Sequence, residues 1–133
     1  QKPFLTADDA RLMAKAAEAE AIAHQWAVTI AIVDDGGHLL WLQRLDGAAP
    51  ISAQIASAKA RTSALGRRES KVYEEMINGG RSAMLSAPAL DGMLEGGVPV
   101  MANGHCIGAV GVSGVKSSED AQIARAGAAA LVS

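Results

Sequence analysis

Two glycine-rich segments near the C-terminus, Gly96-Gly97-Val98-Pro99-Val100 and Gly108-Ala109-Val110-Gly111-Val112-Ser113-Gly114, are joined through Asn103-Gly104. Asn-Gly between two apolar runs is the strongest short hairpin signal, because a type I′ turn needs positive φ at both central positions. The segment predicts two antiparallel strands, 98–102 and 105–113. Gly104, Gly108, Gly111 and Gly114 leave no side chain on or beside the returning strand, so a helix, a second backbone or a ligand can come close there. A candidate site is therefore expected at this end of the chain.

The remaining pattern supplies what packs against that hairpin. Thr6 is a cap for a first helix running to about His24, with Asp8 and Asp9 at the positive end of its dipole. Ala10, Met13, Ala14, Ala17 and Ala21 form its apolar stripe. Strands are predicted over 28–33 and 38–45, separated by the turn cluster Asp34-Asp35-Gly36-Gly37. Pro50 opens a second helix that continues through Lys59 to about Leu65. Residues 67–78 are charged and helical in pattern, stopped by Gly79-Gly80. Residues 82–95 read as loop with one short strand next to Gly96. A last helix, capped at Ser117, runs to near Val132. No repeat, linker or low-complexity tract divides the chain, so 1–133 is expected to be a single domain. The order of elements predicts an α+β fold, an antiparallel sheet with helices packed on it.

Composition narrows the function classes. Half of the 133 residues are hydrophobic but only 3% are aromatic. Alanine-rich helices pack closely and give a thin core, which leaves apolar surface for another subunit, so a homo-oligomer is expected. The formal net charge is −2, with the two signs interspersed. No basic stripe meets phosphates and few aromatics are present to stack bases, which argues against nucleic acid as a partner. No apolar run reaches the 18 or so residues of a membrane span. The first residues carry no signal-peptide hydrophobic region, and a cytoplasmic location is expected. Cys106 is the lone cysteine, which leaves no intrachain disulfide and no cysteine metal cluster.

Several residues are candidates for chemistry. Lys59 lies within about 40° of Ile55 on the helical wheel, on the side facing the sheet. Either its stem covers the core edge and its ammonium reaches water, or the ammonium is held at a pocket to bind a carboxylate. Asp120 either completes a capping arrangement with Ser117 or belongs to the site beside Gly114. Glu95, next to Gly96-Gly97, is an exposed loop carboxylate or a general acid–base. Arg44 and Asp46 form a local ion pair or a substrate clamp. Of the histidines, His38 and His105 begin strands after glycine turns, where exposure is normal. His24 falls on the apolar stripe, as a satisfied partly buried histidine or as an axial haem ligand. The glycine runs match neither a P-loop nor a dinucleotide fingerprint. Ser113 has no nucleophile-elbow context, so it is read as bonding backbone at the strand end.

Taken together, Leu5-Thr6, Val33-Asp34-Asp35-Gly36-Gly37-His38-Leu39, Arg44-Leu45-Asp46-Gly47-Ala48, Lys59-Ala60, Gly96-Gly97-Val98-Pro99, the run from Gly108 to Gly114 and Asp120 resemble the GlcG/HbpS family. That family also supplies the C-terminal domain of the PduO corrinoid adenosyltransferase. The resemblance spans nearly the whole chain in order and spacing, except residues 67–94. It implies a profilin-like fold, a five-stranded antiparallel sheet between helical layers, assembled into dimers or larger rings. The fifth strand would lie over 90–94. Some members of the family bind haem, and others sit in catabolic operons.

Two functions compete at this level. One is a small-molecule-binding module for haem or another tetrapyrrole, with His24 as axial donor. The other is a cofactor-independent catabolic enzyme acting on a small organic acid. There Lys59 and Arg44 hold a carboxylate, Glu95 or Asp120 moves a proton, and the amides of Gly96, Gly97 and Gly114 bind developing negative charge. Either way Lys59, Glu95, Gly96, Gly97, Ser113, Gly114 and Asp120 are expected to converge on one concavity.

Overall fold

The structure, a computed structural model, describes Lys2 to Leu131. Thr6 begins the first helix, α1 (Ala7–Ala23), through a reciprocal capping box. Its Oγ1 accepts from the Asp9 N–H and the Asp9 carboxylate accepts from the Thr6 N–H, both at 3.0 Å, which satisfies two otherwise orphaned donors. Ala10, Met13, Ala14, Ala17 and Ala21 are buried, the stripe that their spacing predicts. The chain then forms β1 (Thr29–Asp34), β2 (Leu39–Arg44), α2 (Ile51–Gly66), α3 (Lys71–Asn78), a 3-10 turn at Ser82–Ser86, β3 (Gly97–Ala102), β4 (His105–Ser113) and α4 (Ser117–Ala129). The expected end of the last helix near Val132 lies outside the described residues. The helix expected over 67–78 starts late, because Arg67 adopts the left-handed conformation (φ 56°) that ends α2.

All pairings in the sheet are antiparallel, in the order β2-β1-β4-β3. Ile30, Ile32, Val110 and Val112 point to one face, where they pack with the alanine stripe of α1 and with Ile123 and Ala124 of α4. Ala31, Val33 and Ala109 point to the other, against Ala56, Ala60 and Ala64 of α2. Both faces of β1 and β4 are thus covered, and these strands read as near-continuous apolar runs. Glycine makes the α2 contact close. A Cβ on Gly111 would collide with the Ala56 carbonyl and the Ala60 backbone, and one on Gly97 with the Lys59 carbonyl. The hairpin between β3 and β4 closes at Asn103 (φ 52°) and Gly104 (φ 79°), as a type I′ turn requires.

The sheet has four strands among the described residues, not five. The segment expected as a fifth strand, 90–94, is irregular, and its backbone is satisfied by side chains instead. Gly92 N–H donates to Thr62 Oγ1 at 3.1 Å, and the Leu94 carbonyl accepts from Ser70 Oγ. The outer edge of β3 has no room for it either. The Gly97 N–H donates to Ser70 Oγ at 2.8 Å, the Gly97 carbonyl accepts from the Ser70 N–H at 3.0 Å, and Pro99 has no N–H to offer.

Candidate functional site

Lys59 and Asp120 come from opposite layers of the molecule and meet at the end of β4. Lys59 Nζ lies 3.0 Å from Asp120 Oδ2 and 3.0 Å from the Val112 carbonyl oxygen. Asp120 Oδ1 accepts from the Val115 N–H at 3.1 Å. Both side chains are 3% exposed. Burial pushes the Asp120 carboxyl above its ordinary range, against the opposing pull of the Lys59 ammonium and the Val115 N–H. Gly96 closes over the pair, since a Cβ there would stand 2.7 Å from Nζ.

This arrangement corrects the account in which the Lys59 ammonium reaches water and the account in which Asp120 caps with Ser117. The Lys59 ammonium does not reach water, and the carboxylate that it binds is the chain's own. Asp120 is not a capping residue. The helix begins one residue earlier than expected, with Lys116 as N-cap, and Glu119 is the acid whose Oε1 accepts from the Lys116 N–H at 3.3 Å.

The other expected site residues are distributed more widely. Gly97 lies against the Lys59 carbonyl, and Gly114 against Ala27 and Val28. Ser113 is buried and pairs across the sheet with Thr29. Glu95 is half-buried, and its N–H donates to Glu74 Oε1 at 2.7 Å. It adds to the field that, with Glu69 as the main cause, raises the Arg125 pKa. Arg44 is exposed at the end of β2 and separated from Ser113 by β1. Among the described residues it makes no ion pair with Asp46.

His24 is exposed, not partly buried on the stripe, because it stands just past the last turn of α1. Its ring stacks on Trp26 at 4.3 Å between centroids. Its Nε2 is 3.2 Å from Glu20 Oε2 and 3.3 Å from Gln122 Nε2.

An open cleft lies elsewhere, between β2 and α2. The turn from β1 to β2 builds its upper rim. Asp34 Oδ1 accepts from the N–H groups of Gly36 and His38, each at 2.9 Å, and Gly37 takes φ +81°. This is an Asx-type turn, in which the short carboxylate organises the backbone two residues on. Gly36 and Gly37 leave room for two basic side chains. A Cβ on Gly36 would sit 3.1 Å from the His38 ring, and one on Gly37 would sit 3.0 Å from Arg61 Cγ.

Below this rim β2 is an edge strand that α2 only partly covers. The α2 residues opposite it, Ala53, Ser57 and Ala58, are small, so Leu39 and Leu42 remain about half exposed along a groove. The groove is open and offers about 600 Å³, lined also by His38, Arg61 and Asp91, the last on the segment that crosses α2. Of the seven residues expected to share one concavity, none lines this cleft. Sequence reasoning passed over Arg61 and read His38 as an ordinary exposed strand residue. The available signal was the paired glycine immediately before His38.

Helices on both faces of a four-stranded antiparallel sheet, with a groove along one edge strand, define the structural class: an α+β protein built as a helix–sheet–helix sandwich. A family model described as haem degrading protein HbpS-like matches residues 5–129, and the chain belongs to this HbpS-like family. It is 55% identical to Protein GlcG of Escherichia coli (strain K12) over 112 residues, 84% of this chain and 83% of that protein. Its fold is similar to the crystal structure of HbpS, with TM-score 0.90 and 33% identity, covering 98% of this chain and 92% of that one. It is also similar to a crystal structure of a PduOC:heme complex, with TM-score 0.85 and 25% identity over 97% and 96% of the two chains.

Proposed function

We propose that this chain is a small-molecule-binding protein whose ligand is haem or another tetrapyrrole, held in the cleft between β2 and α2. The observation that carries this reading is the cleft itself: about 600 Å³, apolar along Leu39, Leu42, Ala53 and Ala58, with an imidazole at its rim. The haem complex among the similar structures and the description of the matching family support the same ligand class.

The donor set favours His38 over His24. His38 has an exposed side chain whose backbone is pinned by Asp34, and among the described residues its ring nitrogens make no hydrogen bond. His24 Nε2 is already engaged by Glu20 and Gln122, and Glu18 and Asp46 line the neighbouring hollow beside Trp26. A dianionic porphyrin fits the first environment and is repelled by the second. Haem in the cleft would supply an iron for ligand binding or redox chemistry, and an imidazole nitrogen would hold it. His38 would supply that nitrogen, and Leu39 and Leu42 would cover the ring with aliphatic surface in place of aromatic surface.

Turnover of a small organic acid through Lys59, Asp120 and Glu95 is the alternative. It has no comparable support, because Lys59 and Asp120 neutralise each other out of reach of solvent. Leu85 and Leu94 also remain exposed together around one hollow outside the cleft, an apolar patch that supports a homo-oligomer.

The test is titration with haemin followed at the Soret band. Wild type should give a saturable change at one haem per chain, His38→Ala should lose or shift it, and His24→Ala should leave it intact. A wild-type spectrum identical to free haemin refutes the haem reading. Light scattering at micromolar concentration tests the assembly, and a monomer mass refutes it.

A further inference from the structure

We infer that Arg61 is the carboxylate-recognising residue of the β2–α2 cleft, so that the cleft takes an apolar body bearing a carboxylate. The inference rests on the cleft being the binding site, but not on the ligand being haem.

Three observations carry it. The Arg61 stem lies across Gly37, where a Cβ would stand 3.0 Å from Cγ and 3.6 Å from Cβ of the arginine. Gly37 is therefore required twice, once by its φ of +81° and once as the seat of this side chain. Next, the guanidinium is held at one edge only, by a long hydrogen bond of 3.5 Å from Nε to the Ala89 carbonyl. Finally, among the described residues Arg61 has no carboxylate partner, whereas Arg11 pairs with Asp8 and Arg125 with Glu69. A guanidinium on a stem packed over Gly37, with free terminal N–H groups beside an apolar wall, has the fork geometry that binds carboxylate bidentately. Asp91 lines the same cleft with the opposite sign. It repels the ligand's carboxylate and so directs that group toward Arg61.

A free aromatic or aliphatic acid and a haem propionate present the same group, and the experiment separates the two sources. Fluorescence titrations compare 2-naphthoate with neutral 2-naphthalenemethanol, and Soret titrations compare haemin with its dimethyl ester. Wild type should prefer the acid of at least one pair by about tenfold, the range of one charge-assisted bidentate contact. Arg61→Gln should remove that preference while the melting temperature stays unchanged, and Arg61→Lys should restore only part of it. Asp91→Asn should tighten acid binding.

A preference of the naphthyl pair, with neither haemin nor its ester bound, identifies a small free acid as the ligand class and removes the haem reading while the inference stands. A preference confined to the haem pair identifies the propionates. Haemin and ester binding equally, with both naphthyl probes equal, leaves the haem reading intact and overturns the inference. So does a preference that survives in Arg61→Gln, or binding of none of the four probes.

Discussion

At the scale of single residues, Lys59 and Asp120 show how a charged pair can belong to the frame of a protein. Removing one partner of a buried pair leaves an uncompensated charge, which costs about 3–5 kcal/mol. Lys59→Met should therefore lower the unfolding free energy by about that amount in denaturant titration at neutral pH. The deficit should shrink on acidification, and the sign follows from the direction of the Asp120 shift. A carboxyl whose folded pKa is raised contributes stability that is complete below its unfolded value of 3.8 and lost as pH rises through the folded value. Without the lysine the upward shift is larger, so the gap between variant and wild type should narrow as pH falls from 7 toward 4. A gap that widens would refute this account. The double change Lys59→Met with Asp120→Leu removes both charges, and should recover the loss or exceed wild-type stability in the same measurement.

At the scale of elements, α2 and the glycines of β3 and β4 form one fitted surface. Gly111→Ala drives a methyl into the backbone of α2, and overpacking of this kind costs about 1–3 kcal/mol. At Gly104 there is open space and only φ +79° to strain, so Gly104→Ala should cost about 1 kcal/mol. Equal losses in thermal unfolding would mean that helix contact contributes nothing at position 111. Much of this level is legible in the chain. The capping box at Thr6, the alanine stripe of α1 and the Asn103-Gly104 hairpin are local signals, and they appear where their residues stand. The segment from Arg67 to Glu95 is less legible because its conformation is set by distant side chains. Ser70, Thr62 and Glu74 satisfy backbone groups 21–30 residues away, and no local pattern announces such bonds.

At the scale of the whole molecule, the glycine-rich hairpin marks where layers meet, not where a cleft opens. Close approach is legible at Gly108, Gly111 and Gly114, yet the approaching groups are the chain's own Leu5 and β1, α2, and Ala27-Val28, while Gly104 faces open space. The cleft depends instead on the small residues Ala53, Ser57 and Ala58 of α2 leaving Leu39 and Leu42 of β2 uncovered, a relation between elements that are adjacent only once the sheet is built. The two borders of that sheet also differ. Ser70 occupies both backbone groups of Gly97 on the outer side of β3, and Pro99 follows it, so no further strand can zip onto that border. The border at β2 is unblocked among the described residues. One border of the sheet is therefore more receptive to a further strand than the other. Head-to-tail fibrils grown by strand addition need two receptive borders, and the occupied groups of Gly97 and the missing N–H of Pro99 work against them.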